Sequence, residues 1–255
     1  METQRKMIRV AFSSQKGGVG KSTFTVLAAS ILHYRLGYNV VVVDCDFPQH
    51  SLMQFRERDL KAVMENENYK KMAHRQFSEI NKKAYPVLQS SPEAALEQVE
   101  RYLAGAVSMP DIIFFDLPGT VNTPGVLTTL AAMHYIFAPL SADRMVLEST
   151  LSFLHVLSAV LMAGGHTQIE AIRLFWNQVD KREKSMLYAI YGATVAALGL
   201  EVMRTYIADS KRFRKEGEAE GKSIFRSTLL PADKKLMEGC RLDLFMDEFL
   251  RILNL

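Results

Sequence analysis

Cysteine is scarce in this chain. Cys45 and Cys240 are the two in 255 residues, and their spacing suits neither a disulfide framework nor a zinc site. That scarcity fits a reducing cytoplasm, which is the expected location. No run of about 18 apolar residues is present, so no membrane-spanning segment is expected. The opening METQRK leads straight into a strand-like segment with no apolar stretch of signal-peptide form. Charge of one sign is also in short supply. A net +3 and a pI near 8.8 are too mild for a protein that coats nucleic acid, although a local basic patch remains open. Internal repeats and low-complexity linkers are missing as well. With 48% hydrophobic residues the chain can bury a sizeable core, and residues 1–255 read as a single domain.

What is present is an alternation of strand and helix patterns. Residues 7–13 (MIRVAFS), 39–43 (NVVVV), 111–115 (DIIFF), 135–139 (YIFAP) and 169–176 are short apolar runs. Continuous apolarity of this kind suits strands buried on both faces of a parallel sheet. Helical spacing appears at residues 22–36, 124–133, 143–163 and 181–198, and in an amphipathic tail at 231–255. The pattern predicts an α/β fold: three layers, a doubly wound and mostly parallel sheet, helices on both faces. Residues 54–83 stand apart. They carry eight Lys/Arg and five Asp/Glu and read as a charged helical excursion from the domain.

The decisive segment is SQKGGVGKST at residues 14–23, between a predicted strand and a predicted helix. Glycines there let the backbone N–H groups of Gly17, Gly18, Val19 and Gly20 turn inward, and the helix N-terminus adds positive potential for phosphate oxygens. Lys21 is placed to reach the β- and γ-phosphates, Ser22 to ligate Mg²⁺, and Thr23 to contact the α-phosphate. The usual G-x-x-x-x-G-K-[ST] pattern would need glycine at position 15, where Gln15 stands. The string instead carries a second lysine, Lys16, and resembles the deviant Walker A loop of the ParA/MinD family. Gln15 before it resembles the partition branch. The resemblance implies an ATPase that uses ATP and Mg²⁺, forms a homodimer on binding ATP, and passes Lys16 across the two-fold interface to the partner's nucleotide.

Carboxylates complete the predicted site. Asp44 and Asp46 close the second strand, and Asp116 closes the run Ile112-Ile113-Phe114-Phe115. Ligands bind at such C-terminal strand ends in open α/β sheets. Asp116 has Walker B form, one carboxylate delivered toward Mg²⁺. Asp44-Cys45-Asp46-Phe47-Pro48-Gln49 resembles the family's Asp-x-Asp-Pro-Gln with Phe47 inserted. By that resemblance Asp46 acts on the attacking water and Asp44 helps arrange the magnesium shell. Gly119 replaces the second proline of the family's Asp-x-Pro-Pro and could offer its N–H to the γ-phosphate as a switch.

Three further expectations complete the reading. Asn177, after the strand ending at Trp176, stands where the family often reads adenine. Lys211, Arg212, Arg214, Lys215 and Arg226 lie in a segment, 210–226, with six Lys/Arg and three Asp/Glu. By resemblance it is a surface for sequence-independent DNA binding; an ordinary solvated loop is the alternative. The tail bears Glu238, Asp243, Asp247 and Glu248 where a lipid-gripping helix would be basic, so packing on the domain is expected over membrane contact. The function expected is a ParA-type switch ATPase in DNA partition or conjugative transfer, with a ParB-like activator. The general form resembles ParA-like TraA proteins of conjugative transposons. A MinD-like positioning ATPase is the alternative. An iron-protein-like reductase is disfavoured because Cys240 lies far from the nucleotide switches, and a dethiobiotin-synthetase-like ligase because no small-substrate signature is present.

Overall fold

The apolar runs form one sheet because each buries side chains on both of its faces. The structure, a computed structural model, describes residues 6–120, 122–157, 165, 167–180, 182, 186–214, 216 and 224–255. Among them the strands are β1 (Ile8–Phe12), β2 (Val40–Asp44), β3 (Val87–Gln89), β4 (Ile112–Asp116), β5 (Tyr135–Leu140), β6 (Ala171–Trp176) and β7 (Glu201–Val202). They lie in the order β3-β2-β4-β1-β5-β6-β7, and every neighbouring pair is parallel. The expected fold class is therefore borne out, with the sheet wholly parallel among the described residues.

The helices are α1 (Lys21–Tyr34), α2 (Ser51–Glu65), α3 (Glu67–Ile80), α4 (Ala95–Ala104), α5 (Val126–Ala131), α6 (Arg144–Val156), α7 (Leu187–Ala197), α8 (Lys211–Arg214), α9 (Lys234–Cys240) and α10 (Leu242–Leu253). Strand alternation divides the core into two. Val10, Phe12, Ile112 and Phe114 face α1, α9 and α10. Ala11, Ile113 and Phe115 face α4, α5, α6 and α7. On the first face Phe12 stacks near Phe114 (ring centroids 6.2 Å apart) and Phe249 (5.9 Å), and Phe249 meets Phe137 at 4.6 Å. Such ring pairs add to ordinary apolar burial. The apolar face of the tail is thus occupied by the core.

Some elements depart from the sequence reading. The tail is two helices, because Arg241 adopts a left-handed conformation (φ 64°) between α9 and α10. β3, β7 and α4 were not read; β3 has three residues and β7 two, too short to show a period. The expected helix at 143–163 is described as α6, and residues 158–163 of it lie outside the described residues, as do 181 and 183–185 of the pattern at 181–198. The charged segment 54–83 forms α2 and α3, which pack on each other around Val63, Ala73 and Phe77. Asp59 fastens α2 to the body. Its buried carboxylate accepts from the Thr228 N–H (2.6 Å), the Thr228 hydroxyl (3.0 Å) and Arg58 (2.7 Å).

One turn is tightly specified. Gly125 precedes α5 with φ 77°, and a Cβ built there would fall 2.4 Å from the Glu93 N and 2.5 Å from its Cα. Backbone cannot yield as a side-chain tip can. Gly125→Ala is expected to lower unfolding free energy by about 2–3 kcal/mol, combining left-handed strain with the collision. Urea denaturation checks this, and an unchanged midpoint would contradict the packing of this turn.

Candidate functional site

The loop between β1 and α1 has the backbone shape that a phosphate cradle needs. Gly18 (φ 77°) and Gly20 (φ 106°) are both left-handed, and Gly20 opens α1 with no side-chain cap, so the first N–H groups of α1 are left for a ligand. At Gly20 a Cβ would also sit 3.0 Å from the Asn177 Nδ2 and from the Phe24 ring, so both freedom of φ and space demand glycine. Below the loop Phe24 packs edge-on against Phe175 (4.8 Å), which seats α1 on the sheet.

Two carboxylates meet beneath the loop because β2 and β4 are in register: Asp44 pairs with Asp116. Both side chains are fully buried, but their surroundings differ. Asp44 Oδ2 accepts the N–H groups of Leu52 and Met53, each at 2.9 Å, and so caps the start of α2. Its Oδ1 accepts a long 3.4 Å bond from the Asp46 N–H and lies 3.8 Å from the His50 Nδ1. Burial raises the Asp44 carboxyl, and these N–H donors oppose the rise.

Asp116 has no such support. Neither of its oxygens has a well-formed hydrogen bond among the described residues. Burial pushes its carboxyl up to about 7; the Ser22 hydroxyl and Lys21 pull the other way, and Asp44 and Asp46 add to the rise. Burial likewise lowers the Lys21 ammonium, opposed by Asp116 and then Asp46. Lys21 Nζ lies 3.4 Å from the Lys16 carbonyl, folded back along its own loop. Gly119 walls this space. A Cβ on it would stand 2.9 Å from Lys21 Nζ and 3.5 Å from the Ser14 carbonyl.

The other predicted residues sort as follows. Asp46 is half-buried at the mouth, followed by a cis Phe47–Pro48 bond and an exposed Phe47. Thr23 lines the neighbouring cavity. The half-buried Lys16 has no carboxylate within ion-pair distance among the described residues. Asn177 is buried, with its Nδ2 on the Val19 carbonyl (2.8 Å) and its Oδ1 on the Gln178 N–H (2.8 Å). In this state it braces the loop. A cavity of about 400 Å³ lies beside it, lined by Gly18, Gly20, Ile207, Ala208, Ser210 and Phe213 among others. The stretch 207–209 carries no motif, and 210–213 was read only as part of a basic segment, so no sequence signal pointed to a cavity wall here.

Among the described residues, the basic segment divides into paired and unpaired cations. Arg212 is held by Asp233 through two bonds (3.1 and 2.5 Å) and covers the Phe225 ring at 4.0 Å. Arg226 is held by the buried Glu216 through its Nε and, at 2.7 Å, its backbone N–H. Both guanidinium charges are matched inside the protein, and both side chains are half-buried. Lys211 is exposed; the Arg214 side chain and Lys215 lie outside the described residues. Cys45 and Cys240 are buried on opposite faces of the sheet, and burial pushes both thiols up.

The donor set suits a hard, oxygen-seeking cation. Asp116 offers two buried, unpartnered oxygens beside the Ser22 hydroxyl, while the described residues hold no cluster of three His/Cys/Asp/Glu. Magnesium at phosphate sites commonly takes few protein ligands, the rest being phosphate and water.

Known proteins resemble this chain in sequence and in fold. Residues 10–224 match the family described as the CobQ/CobB/MinD/ParA nucleotide binding domain. The chromosome-partitioning ATPase Soj of Thermus thermophilus is 28% identical over 232 residues, covering 86% of this chain and 88% of that protein. The structure of pNOB8 ParA superposes with a TM-score of 0.62 at 16% identity, over 98% of this chain and 99% of that one. A further structure of that protein, bound to nonspecific DNA, gives 0.52 at 20% identity, over 78% and 79%. The MinD cell division protein of Aquifex aeolicus gives 0.59 at 15% identity, over 98% and 97%. At these identities the structural likenesses speak for the fold alone.

Two measurements test the site. A folded carboxyl raised above its unfolded value costs stability as pH climbs from the ordinary carboxylate range through about 7. Without nucleotide or Mg²⁺, Asp116→Asn should match the parent protein near pH 4 and exceed it by on the order of 2–4 kcal/mol near pH 8. Urea unfolding across that range reads the gap; a gap that does not widen with pH would refute the assignment. Gly119→Ala should displace the Lys21 ammonium and weaken nucleotide binding about tenfold, roughly 1.4 kcal/mol, with little change in melting temperature. Calorimetric titration with an ATP analogue checks it, and parent-like affinity would place Lys21 outside the grip.

Proposed function

The chain belongs to the CobQ/CobB/MinD/ParA nucleotide-binding family, and we propose that within it this protein is a dimerising ATP switch of the ParA type. The observation that carries the proposal is Lys16, a second loop lysine with no carboxylate partner among the described residues, beside the Lys21–Asp116 pair. An unmatched ammonium at the lip of a phosphate site can complete charge neutralisation in a facing subunit.

In this reading ATP enters between the loop and the cavity lined by residues 207–213. Gly17, Gly18, Val19, Gly20, Ser22 and Thr23 bind its phosphates through backbone and hydroxyl groups. Lys21 unfolds from the Lys16 carbonyl toward the β- and γ-phosphates, and its charge is favoured by the incoming anion. Asp46, half-open to solvent, orients the attacking water. Gly119 offers its N–H where the γ-phosphate arrives. Asn177 holds Val19 in place, so its action on the nucleotide is through the loop. Ser22 and Asp116 would hold magnesium, which supplies Lewis-acid neutralisation of phosphate charge when bound. Asp44, with one oxygen engaged by α2, has Oδ1 to contribute to the magnesium shell. Hydrolysis then removes the group that stabilises the dimer, a population shift by differential affinity.

The cargo assigned is DNA, in partition or conjugative transfer, with a ParB-like activator and a TraA-like role in a conjugative transposon as its narrower form. Support comes from the 28% identity to Soj and from pNOB8 ParA, solved with nonspecific DNA. Lys211, Arg214 and Lys215 remain for phosphate contact. The MinD-like alternative would need a lipid-facing tail. The apolar face of α10 is buried instead, with Phe245 and Phe249 at 0% exposure, and no described helix is long and apolar enough to cross a membrane.

Light scattering coupled to size exclusion, with ATP, ADP or neither, tests the switch. Lys21→Ala should lose nucleotide binding by about a hundredfold or more, as expected for removal of a buried phosphate-pairing charge. Lys16→Ala should bind ATP and stay monomeric, and Asp46→Ala should accumulate the ATP dimer. A Lys16→Ala protein that dimerises like the parent would end the two-subunit reading.

A further inference from the structure

A second concave surface lies at the other pole of the sheet. Between α2 and α3 is a cavity of about 540 Å³ whose lining is almost wholly apolar, including Leu60, Val63, Phe77, Ala84 and Leu229. Beside it a cavity of about 430 Å³ opens at the start of β2 and the end of α4, lined by Val40, Val41, Pro86, Tyr102 and Val107. Both are lined by Lys82, Lys83 and Ala84, so they adjoin along that segment, and the pair is here called the trough. Exposed apolar side chains mark its two ends: Leu60 at one, Val107 and, next to Ser108 on the rim, Met109 at the other.

The rim is basic where the two cavities meet. Lys82 Nζ bonds the Gly37 carbonyl and Asn39 Oδ1 (2.8 Å), both neutral acceptors, so its charge is unmatched. Lys83 is exposed and has no ion pair among the described residues. On the neighbouring α2 and α3, Lys61, Lys70 and Arg75 each have a glutamate three or four residues away within ion-pair distance. Lys82 and Lys83 thus leave positive charge unmatched above an apolar floor. A nucleic-acid backbone matches rows of cations and gains nothing from such a floor. A peptide with apolar anchors and acidic neighbours matches both.

We propose that this trough is a docking groove for a segment of a partner protein in which apolar anchors are flanked by Asp or Glu. Leu60 and Val63 receive the anchors, and Lys82 and Lys83 face the carboxylates. The strand ends that open here are the N-terminal ones, so the segment and a nucleotide do not compete for space. α2 runs between them, its first turn capped by Asp44 and its later turns lining the trough.

The test is to pan displayed random peptides against the full chain, then synthesise the strongest binder and measure its affinity by anisotropy. The selected sequences should be enriched in Asp/Glu next to apolar residues. Lys82→Glu/Lys83→Glu should weaken the binder about tenfold or more, and raised salt should weaken it too. Leu60→Glu should do the same by charging the floor, and it serves where the lysine variant fails to fold. Nucleotide affinity should be unchanged in both. Selection no better than on uncoated wells, sequences without acidic enrichment, or affinity unmoved in both variants would overturn the proposal. Displacement of the peptide by a short DNA duplex would assign the trough to nucleic acid. Self-association abolished by Leu60→Glu would assign it to a second copy of the chain, and either result overturns the proposal as well.

Discussion

The site depends on one electrostatic constraint: a carboxylate held out of water with no well-formed hydrogen bond among the described residues. Asp116 closes the interior strand β4, both faces of which are packed with apolar side chains. In that setting ionisation is costly, and the nearest cation, Lys21, is itself disfavoured by burial. The fold keeps these two groups close but does not let either satisfy the other. An incoming phosphate and its counter-cation relieve both at once. Binding therefore draws on a penalty already built into the empty protein, which is how a preorganised site gains over one assembled on demand.

Asp44 shows how that local tension can reach farther. It is the register partner of Asp116, yet its carboxylate fixes the start of α2. The same helix is fastened farther on by Asp59 to Thr228, and Arg58 reaches the Arg226 carbonyl and lies 4.0 Å from Glu216. Arg226 in turn lines the cavity beside the loop. One rigid element thus touches the mouth at its first turn and the wall of the nucleotide cavity at its middle.

The sequence made much of this legible, and the limits have physical causes. Five strands were visible because burial on both faces leaves a run with no polar interruption. The loop was visible because cradle chemistry restricts residue type at nearly every position. β3 and β7 were invisible because two or three residues set no period. The break at Arg241 was invisible because a left-handed non-glycine residue leaves no compositional trace. Arg212 and Arg226 read as free cations because their partners, Asp233 and Glu216, can be identified only once the chain has folded. The bond from the Asn177 amide to the Val19 carbonyl was invisible for the same reason, since the two lie far apart in sequence. Pattern finds residues whose chemistry is local; pairing across the fold is decided by topology.

The aromatic stack beneath the loop has a consequence for the order in which the protein matures. Phe12, the last residue of the first strand, and Phe24, in the first turns of α1, lean on Phe249 and Phe245 of the last helix. Contacts between such distant stretches close late, because the loop between them must close first. While the ribosome is still making the chain, the strand and helix that carry the phosphate loop lack the surface they rest on. Until α10 has closed onto the sheet, the loop between β1 and α1 stands on an incomplete foundation.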